Sequence, residues 1–415
     1  MTTPSLQRRL GLGDAVFIGL GSMVGAGVFA VWAPAADAAG TGLLVGLAIA
    51  AVVALGNATS SAQLAAAHPT SGGTYAYGRA ELGPWWGFIA GWGFVIGKTA
   101  SCAAMALTFA AYAAPPGWER PVAIAAVALL TAVNWFGVTR TAGAARVIVV
   151  ITLGALAAAV TAAISGGAVA DSFASGSLWA GGAYGILQSA GLLFFAFAGY
   201  ARIATMGEEV REPRRVIPRA IVIAFAIALA VYAVVAVAVL AALGPAGVAA
   251  STQPVADAAA RSGWAWIGVV VRVGAAAGSL GALLALIAGV SRTAFAMARE
   301  RDLPAVLDRV HPRWHVPHRA ELTAGALVVV LVAVVDLRGA IGFSSFGVLL
   351  YYFVANVAAL RQRGEARRYP AALQIVGAIG CLVLAVTLPW TSVVAGVVVV
   401  AVGVAYRAIR LSRAA

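Results

Sequence analysis

The chain reads as long apolar runs separated by short polar joints. Twelve runs stand out, at roughly 14–36, 42–66, 84–112, 120–138, 143–165, 182–206, 216–243, 264–299, 319–336, 339–360, 371–388 and 391–409. A helix rises 1.5 Å per residue, so runs of this length suit a hydrocarbon core about 30 Å thick. Pro69, Pro84, Pro115, Pro116, Pro213, Pro218, Pro245, Pro304, Pro317, Pro370 and Pro389 fall between runs or at their ends. A residue without an N–H starts or stops a helix there. The pattern predicts an all-α polytopic membrane protein with 12 transmembrane helices.

Two runs are interrupted. The first carries Gly21, Ser22, Met23, Val24, Gly25, Ala26 and Gly27, three glycines in seven residues near its middle. Glycine weakens a helix and bares its main chain. Within a bilayer, loose N–H and C=O groups are tolerated only where they are buried in protein or line a cavity. The stretch therefore predicts a break in a spanning helix; a GxxxG packing face formed by Gly21 and Gly25 on an unbroken helix is the alternative. The sixth run has small residues among aromatics from Leu192 to Tyr200, and Gly199 interrupts it. Interruptions in the first and sixth runs fit two inverted five-helix repeats, 14–165 and 182–360, with two trailing helices over 371–409. All would lie in a single transporter domain, 1–410. No residue-by-residue repeat is visible between the halves.

Composition sharpens the class. The chain is 62% hydrophobic and 10% charged, where a soluble protein would be about a quarter charged. Met1 to Leu10 is too short and polar for a cleaved signal, so the first run is expected to stay in the chain. A net charge of +13 raises a nucleic-acid reading, which the placement of the charges rejects. With the N-terminus cytoplasmic, 23 of the 28 basic residues fall on inner segments and only Arg120, Arg261 and Arg338 on outer loops. That asymmetry is the positive-inside signal, and the excess charge faces anionic inner-leaflet lipid. Cys102 and Cys381 lie within apolar runs and imply no disulfide framework, in keeping with a cytoplasmic membrane. His311, His315 and His318 share one joint; it reads as a polar connection with proline stops rather than a metal site.

The joints also carry candidates. After the sixth run, Gly207 to Arg219 is densely charged, and Glu208 and Glu209 could pair with nearby arginines to latch the inner face; a solvated loop is the alternative. Pro69 to Tyr77 reads as a structured inner loop. Lys98 is the only lysine in the chain and sits at the midpoint of the third run. Its stem is too short to snorkel from there, and an intramembrane charge is by default functional. The alternative is a buried lysine that pins the carbonyls of a broken helix.

Several stretches together resemble the amino acid–polyamine–organocation superfamily of permeases. They are GSMVGAGVF in the first run, PTSGGTYAYGRAELGPWWGFIAGW into the third, FFAFAGY in the sixth and GEEVREPRRVIPRAI after it, then SRTAFAMARERDLP and HPRWHVPHRA. The resemblance covers roughly residues 10–360, and the motifs are specific in combination and order. It implies two inverted repeats and alternating access around a mid-membrane site. It implies that the main chain of the first break, Ser22 to Gly27 with Gly21 at its edge, binds a substrate carboxylate. Carbonyls of the sixth-run break, about Ala196, Phe197, Ala198 and Gly199, would bind the α-amino group, with Phe197 as an aromatic gate. Helix ends agree with this division, since N-termini attract anions and unwound carbonyls suit an ammonium.

One departure matters. Many proton-coupled members carry a lysine in the fifth span, and local matching of TLGAL puts Thr152 there. Lys98, reaching from the third span to beside the first break, is expected to supply the missing charge and to load and release a proton. Ser279 and Ser291 could offer oxygens to sodium, though serine in a membrane helix usually bonds its own backbone. No carboxylate lies at mid-run near the interruptions, so the expected substrate is a neutral amino acid, with a proton or an exchanged amino acid as its partner. No cofactor is expected. A cationic amino acid or polyamine exchanger is the alternative. A membrane-embedded enzyme would need clustered nucleophiles, bases or metal ligands at one depth, and a passive channel would need polar rings.

Overall fold

A computed structural model describes residues 9–69, 72–137, 142–167, 173, 176–207 and 209–412; Glu208 of the expected latch lies outside them. The described residues form helices and turns, with one isolated bridge between Leu10 and Val210. Nine helical stretches among them are long and apolar enough to cross a membrane. In chain order the helices are α1 (Leu12–Met23), α2 (Gly27–Ala30), α3 (Trp32–Ala39), α4 (Leu43–Ala67), α5 (Thr74–Leu82), α6 (Pro84–Ala113), α7 (Glu119–Trp135) and α8 (Ala142–Ser165). Then come α9 (Gly182–Phe197), α10 (Ala201–Ala204), α11 (Pro213–Ala250), α12 (Pro254–Ala260) and α13 (Ile267–Arg299). The last four are α14 (His318–Val334), α15 (Leu337–Arg361), α16 (Ala371–Thr387) and α17 (Trp390–Ser412).

Local chemistry sets the ends. Pro84, Pro213 and Pro254 each open a helix, where the missing N–H has no intrahelical partner to lose. Asp336 caps α15 by accepting the Gly339 N–H at 2.8 Å, as short acceptor side chains do at helix starts. Within α11 the chain leaves helical geometry at Gly244 (φ 67°, ψ 165°) just before Pro245. The seventh span thus ends near Leu243, where the apolar run does.

Small residues bring the helices close enough to build the site. A Cβ on Gly97 would sit 3.0 Å from the Val348 nitrogen, and one on Gly347 would sit 2.8 Å from the Gly97 Cα. α6 and α15 therefore cross in main-chain contact, the packing expected where lipid supplies no hydrophobic drive. Amides join α4, α15 and α16. Ser60 donates to Asn356 Oδ1 at 2.7 Å, Asn356 donates to Asn57 Oδ1 at 2.5 Å, and Gln374 donates to Gln63 Oε1 at 3.2 Å. Many large apolar side chains turn outward, among them Val52, Leu129, Ile164, Val330 and Val402. In a membrane protein that is the face toward lipid.

Candidate functional site

The first interruption is real but narrower than its sequence suggests. α1 continues through Gly21, Ser22 and Met23, and the Ser22 hydroxyl donates to Ile18 O at 3.0 Å within that helix. Val24 donates its N–H to Leu20 O at 2.7 Å, and the chain bends over Val24, Gly25 and Ala26 before Gly27 opens α2. The expected break over Ser22–Gly27 is corrected to three residues, because the Ser22 back-bond and the Val24 closure keep the preceding turn wound. The unbroken helix of the alternative is not seen, although Gly25 does pack closely. A Cβ there would lie 2.8 Å from Ala282 Cβ and 3.2 Å from Gly278 O on α13.

The sixth-run interruption is a tightening and not an unwound stretch. α9 runs through Ala196 and Phe197, and Ala198–Tyr200 form one 3₁₀ turn before α10. A mid-helix 3₁₀ turn changes the pitch and redirects the carbonyls without leaving the helix. The two interruptions meet back to back. A Cβ on Gly199 would overlap the Ser22 carbonyl and lie 2.6 Å from Met23 N, and a Cβ on Gly27 would lie 2.8 Å from Ala196 Cα. Val24, Ala26, Ala196, Phe197, Ala198 and Tyr200 are all buried.

Side-chain donors occupy the carbonyls at this crossing. The Tyr232 hydroxyl of α11 lies 2.7 Å from Met23 O and 2.9 Å from Ala196 O, so one phenol bridges the helix ends that lead into the two interruptions. Lys98 Nζ donates to Ala198 O at 3.0 Å, and the Tyr352 hydroxyl of α15 donates to the same oxygen at 3.2 Å. The hydrogen bond of Lys98 is thus to the sixth-run interruption, where the sequence reading set this side chain beside the first. The Gly97–Gly347 crossing next to it fixes its place in the core. Phe197 is fully buried, edge-on to Tyr232 with ring centroids 5.0 Å apart and tilted against Phe225 at 5.7 Å. Thr152 is buried on α8 with Oγ1 3.5 Å from Gly274 O. A Cβ on Gly278 would be 3.1 Å from that Oγ1 and 3.5 Å from Gly25 Cα, so Thr152 is close to the first bend through α13. Tyr232 and Tyr352 were missed in the sequence. Tyrosine within an apolar run, single at Tyr232 and paired at Tyr351 and Tyr352, is a signal that could have found them, since a buried phenol needs a partner.

Hydrogen bonds join the helices on both sides of the crossing. On one side Tyr77 of α5 donates to Ala204 O at 2.9 Å, and the Tyr351 hydroxyl accepts the Thr74 N–H at 3.0 Å. Close by, Asp302 accepts from Tyr75 at 2.9 Å, from Arg79 at 3.0 Å and from Arg407. Burial, then the Asp302 carboxylate, push the Tyr75 phenol well above its ordinary pKa, so it remains the donor. In the charged joint Glu209 O accepts the N–H groups of Arg9 at 3.0 Å and Leu10 at 3.1 Å, which ties the segment before α1 to it. On the other side Tyr112 donates to Phe29 O at 3.2 Å and Thr41 to Ser177 O at 2.6 Å. His311 and His318 pack edge-on against each other and against Trp135. Among the described residues no group of three or more His, Cys, Asp or Glu is poised to hold a metal.

The profile of the amino acid permease family matches residues 10–411. An uncharacterised transporter of Mycobacterium tuberculosis is 58% identical over 98% of this chain and 92% of its own. A branched-chain amino acid permease of Bacillus subtilis is 25% identical over 94% of this chain and 90% of its own. Human cationic amino acid transporter 4 is 29% identical over 85% of this chain and 59% of its own. With the family matched over nearly its whole length, the chain belongs to the amino acid permease family of the amino acid–polyamine–organocation superfamily, a transporter and not an enzyme.

Proposed function

We propose that the chain is a secondary active transporter of neutral amino acids that works by alternating access around its two interrupted spans. The observation that carries this reading is the crossing itself: Gly199 lies on the Ser22–Met23 peptide, and the Met23 and Ala196 carbonyls converge on one hydroxyl. Main-chain acceptors gathered at one buried point suit an α-ammonium. The main chain of the first bend takes the carboxylate in this reading, as the family resemblance implies. In this reading Gly21 to Gly27 and Ala196 to Gly199 form the substrate site and Phe197 its gate. Lys98 and Thr152 are the coupling residues, with a proton or a second amino acid as the exchanged partner.

The nine long spans and the three 17-residue helices α7, α14 and α16 together give twelve. They divide as two inverted repeats, 14–165 and 182–360, and a trailing pair over 371–409. Both termini face the cytoplasm, and the protein sits in the inner membrane. The donors at the crossing are phenols and an ammonium, which favours a neutral substrate side chain over a cationic one. A cationic substrate is the second reading, favoured by the likeness to a cationic amino acid transporter.

Thermal-shift screening of the twenty amino acids on purified protein, followed by liposome uptake under separate proton and sodium gradients, tests the proposal. Neutral amino acids should stabilise the protein and compete with one another, and arginine should not compete; competition by arginine alone would give the second reading. In exchange into liposomes preloaded with amino acid, the Lys98→Met protein should transport substrate without pH dependence. An unchanged pH profile in that variant would remove Lys98 from coupling.

A further inference from the structure

The Ala198 carbonyl points at a position already held by a cation. Lys98 Nζ donates to it at 3.0 Å, and the whole side chain is buried. A primary ammonium on a tether and the α-ammonium of a free amino acid are the same functional group. Each offers three N–H donors and one positive charge, and each is satisfied by the same main-chain oxygens. Given the amino acid site proposed above, we propose that Lys98 is a tethered stand-in for the substrate's amino group, which competes with it for the Ala198 carbonyl.

The geometry supports competition over simple pinning. A carbonyl oxygen has two lone pairs, and at Ala198 the Tyr352 hydroxyl takes a place at 3.2 Å beside the lysine. A third donor therefore displaces one of the two. The neighbouring Ala196 carbonyl is held in the same way by Tyr232, whose hydroxyl is shared with Met23 O. A substrate ammonium entering the crossing finds its acceptors taken, and Lys98 is the occupant that carries equal charge. The stand-in keeps a buried carbonyl satisfied when no substrate is bound. With Tyr352 it fills both lone pairs of that oxygen, which lowers the cost of the shut, empty carrier, since a buried acceptor is stabilised by each partner it keeps. Lys98 thereby lets the empty carrier pass through its shut form and return.

Two outcomes follow for a variant without the stand-in. Lys98→Met should bind substrate more tightly, about tenfold, because the competing occupancy is gone. It should also lose net uptake into empty liposomes while keeping exchange into liposomes preloaded with the same amino acid. Lys98→Arg keeps a tethered cation and should bind no more tightly than the parent.

The parent protein offers a test that needs no substitution. Lys98 is the only lysine in the chain, so growth on lysine labelled with ¹³C at Cε and ¹⁵N at Nζ places one reporter in the protein. The probe is whichever of the twenty amino acids raises the unfolding temperature most, tried beside the same molecule lacking its amino group. For L-leucine that partner is 4-methylpentanoate. The inference predicts that the Nζ resonance moves with the amino acid and stays put with the deaminated partner. If an amino acid that stabilises the protein leaves the resonance in place, Lys98 is a structural pin and the inference is wrong, while the transporter reading stands. If none of the twenty amino acids stabilises the protein or enters liposomes, the transporter reading fails and takes the inference with it.

Discussion

Gly199 has no room for a side chain. A Cβ there would overlap the Ser22 carbonyl and crowd Met23 N at 2.6 Å, and both are main chain that cannot swing aside. Overpacking of this kind costs about 1–3 kcal/mol, and at this point it also pries the two interruptions apart. Gly199→Ala should lower the unfolding temperature and abolish uptake. Gly268→Ala, where nothing lies within 4 Å of the added carbon, should change neither. Tyr232 tests the same crossing from the other side. Tyr232→Phe keeps the ring packed on Phe197 and removes the hydroxyl shared by Met23 O and Ala196 O. It should destabilise the protein by about 1–3 kcal/mol, the cost of baring a buried acceptor. A Tyr232→Phe protein with unchanged thermal unfolding would show that the bridge holds nothing.

At the scale of elements, the joint after α13 ties four helices together through one carboxylate. Asp302 is 4% exposed and accepts from Tyr75 and Arg79 on α5 and from Arg407 on α17. The Arg407 guanidinium lies over Trp85 and Phe88 of α6, 5.0 and 4.9 Å from the ring centroids. Removing one member of such a buried pair costs about 3–5 kcal/mol, because the charge left behind has no partner. Asp302→Ala should therefore destabilise strongly in detergent melts. Adding Arg407→Leu should restore part of the loss, which is the signature of direct coupling. Simple addition of the two losses would refute the pairing. None of this cluster is legible in the sequence, since Asp302 and Arg407 lie 105 residues apart and look like ordinary charges at helix ends. Helix ends themselves were legible: Pro84 and Pro213 stand where the apolar runs begin, and Pro245 follows the end of one. The width of the first break was not, because the Ser22 hydroxyl that keeps its turn wound bonds within the helix. Nor was the partner of Lys98, since nothing in the third run says which carbonyl crosses it.

The whole molecule joins two patterns that arise from different physics. Basic residues crowd one set of joints, and exposed tryptophans stand at span ends on both sets, Trp85 and Trp86 beside a basic joint. Trp118, Trp179, Trp264, Trp266 and Trp390 all lie exposed in or beside joints that carry few basic residues. Indole rings favour both membrane interfaces and mark span ends, while arginines favour the anionic inner leaflet, so the basic residues are what supports the proposed orientation. In the proposed orientation, tyrosine and threonine hydrogen bonds join the helices on both sides of the crossing. A carrier needs a shut form, from which it can open to either side in turn. The central claim is that a free amino acid is gripped at the crossing by main chain. The most direct measurement is an electron cryomicroscopy map of the protein saturated with its most stabilising amino acid. The account predicts density between Val24–Ala26 and Ala198–Tyr200, with the amino group in hydrogen-bond reach of the Ala196 or Ala198 carbonyl. Density elsewhere, with the two interruptions still sealed against each other, would contradict it.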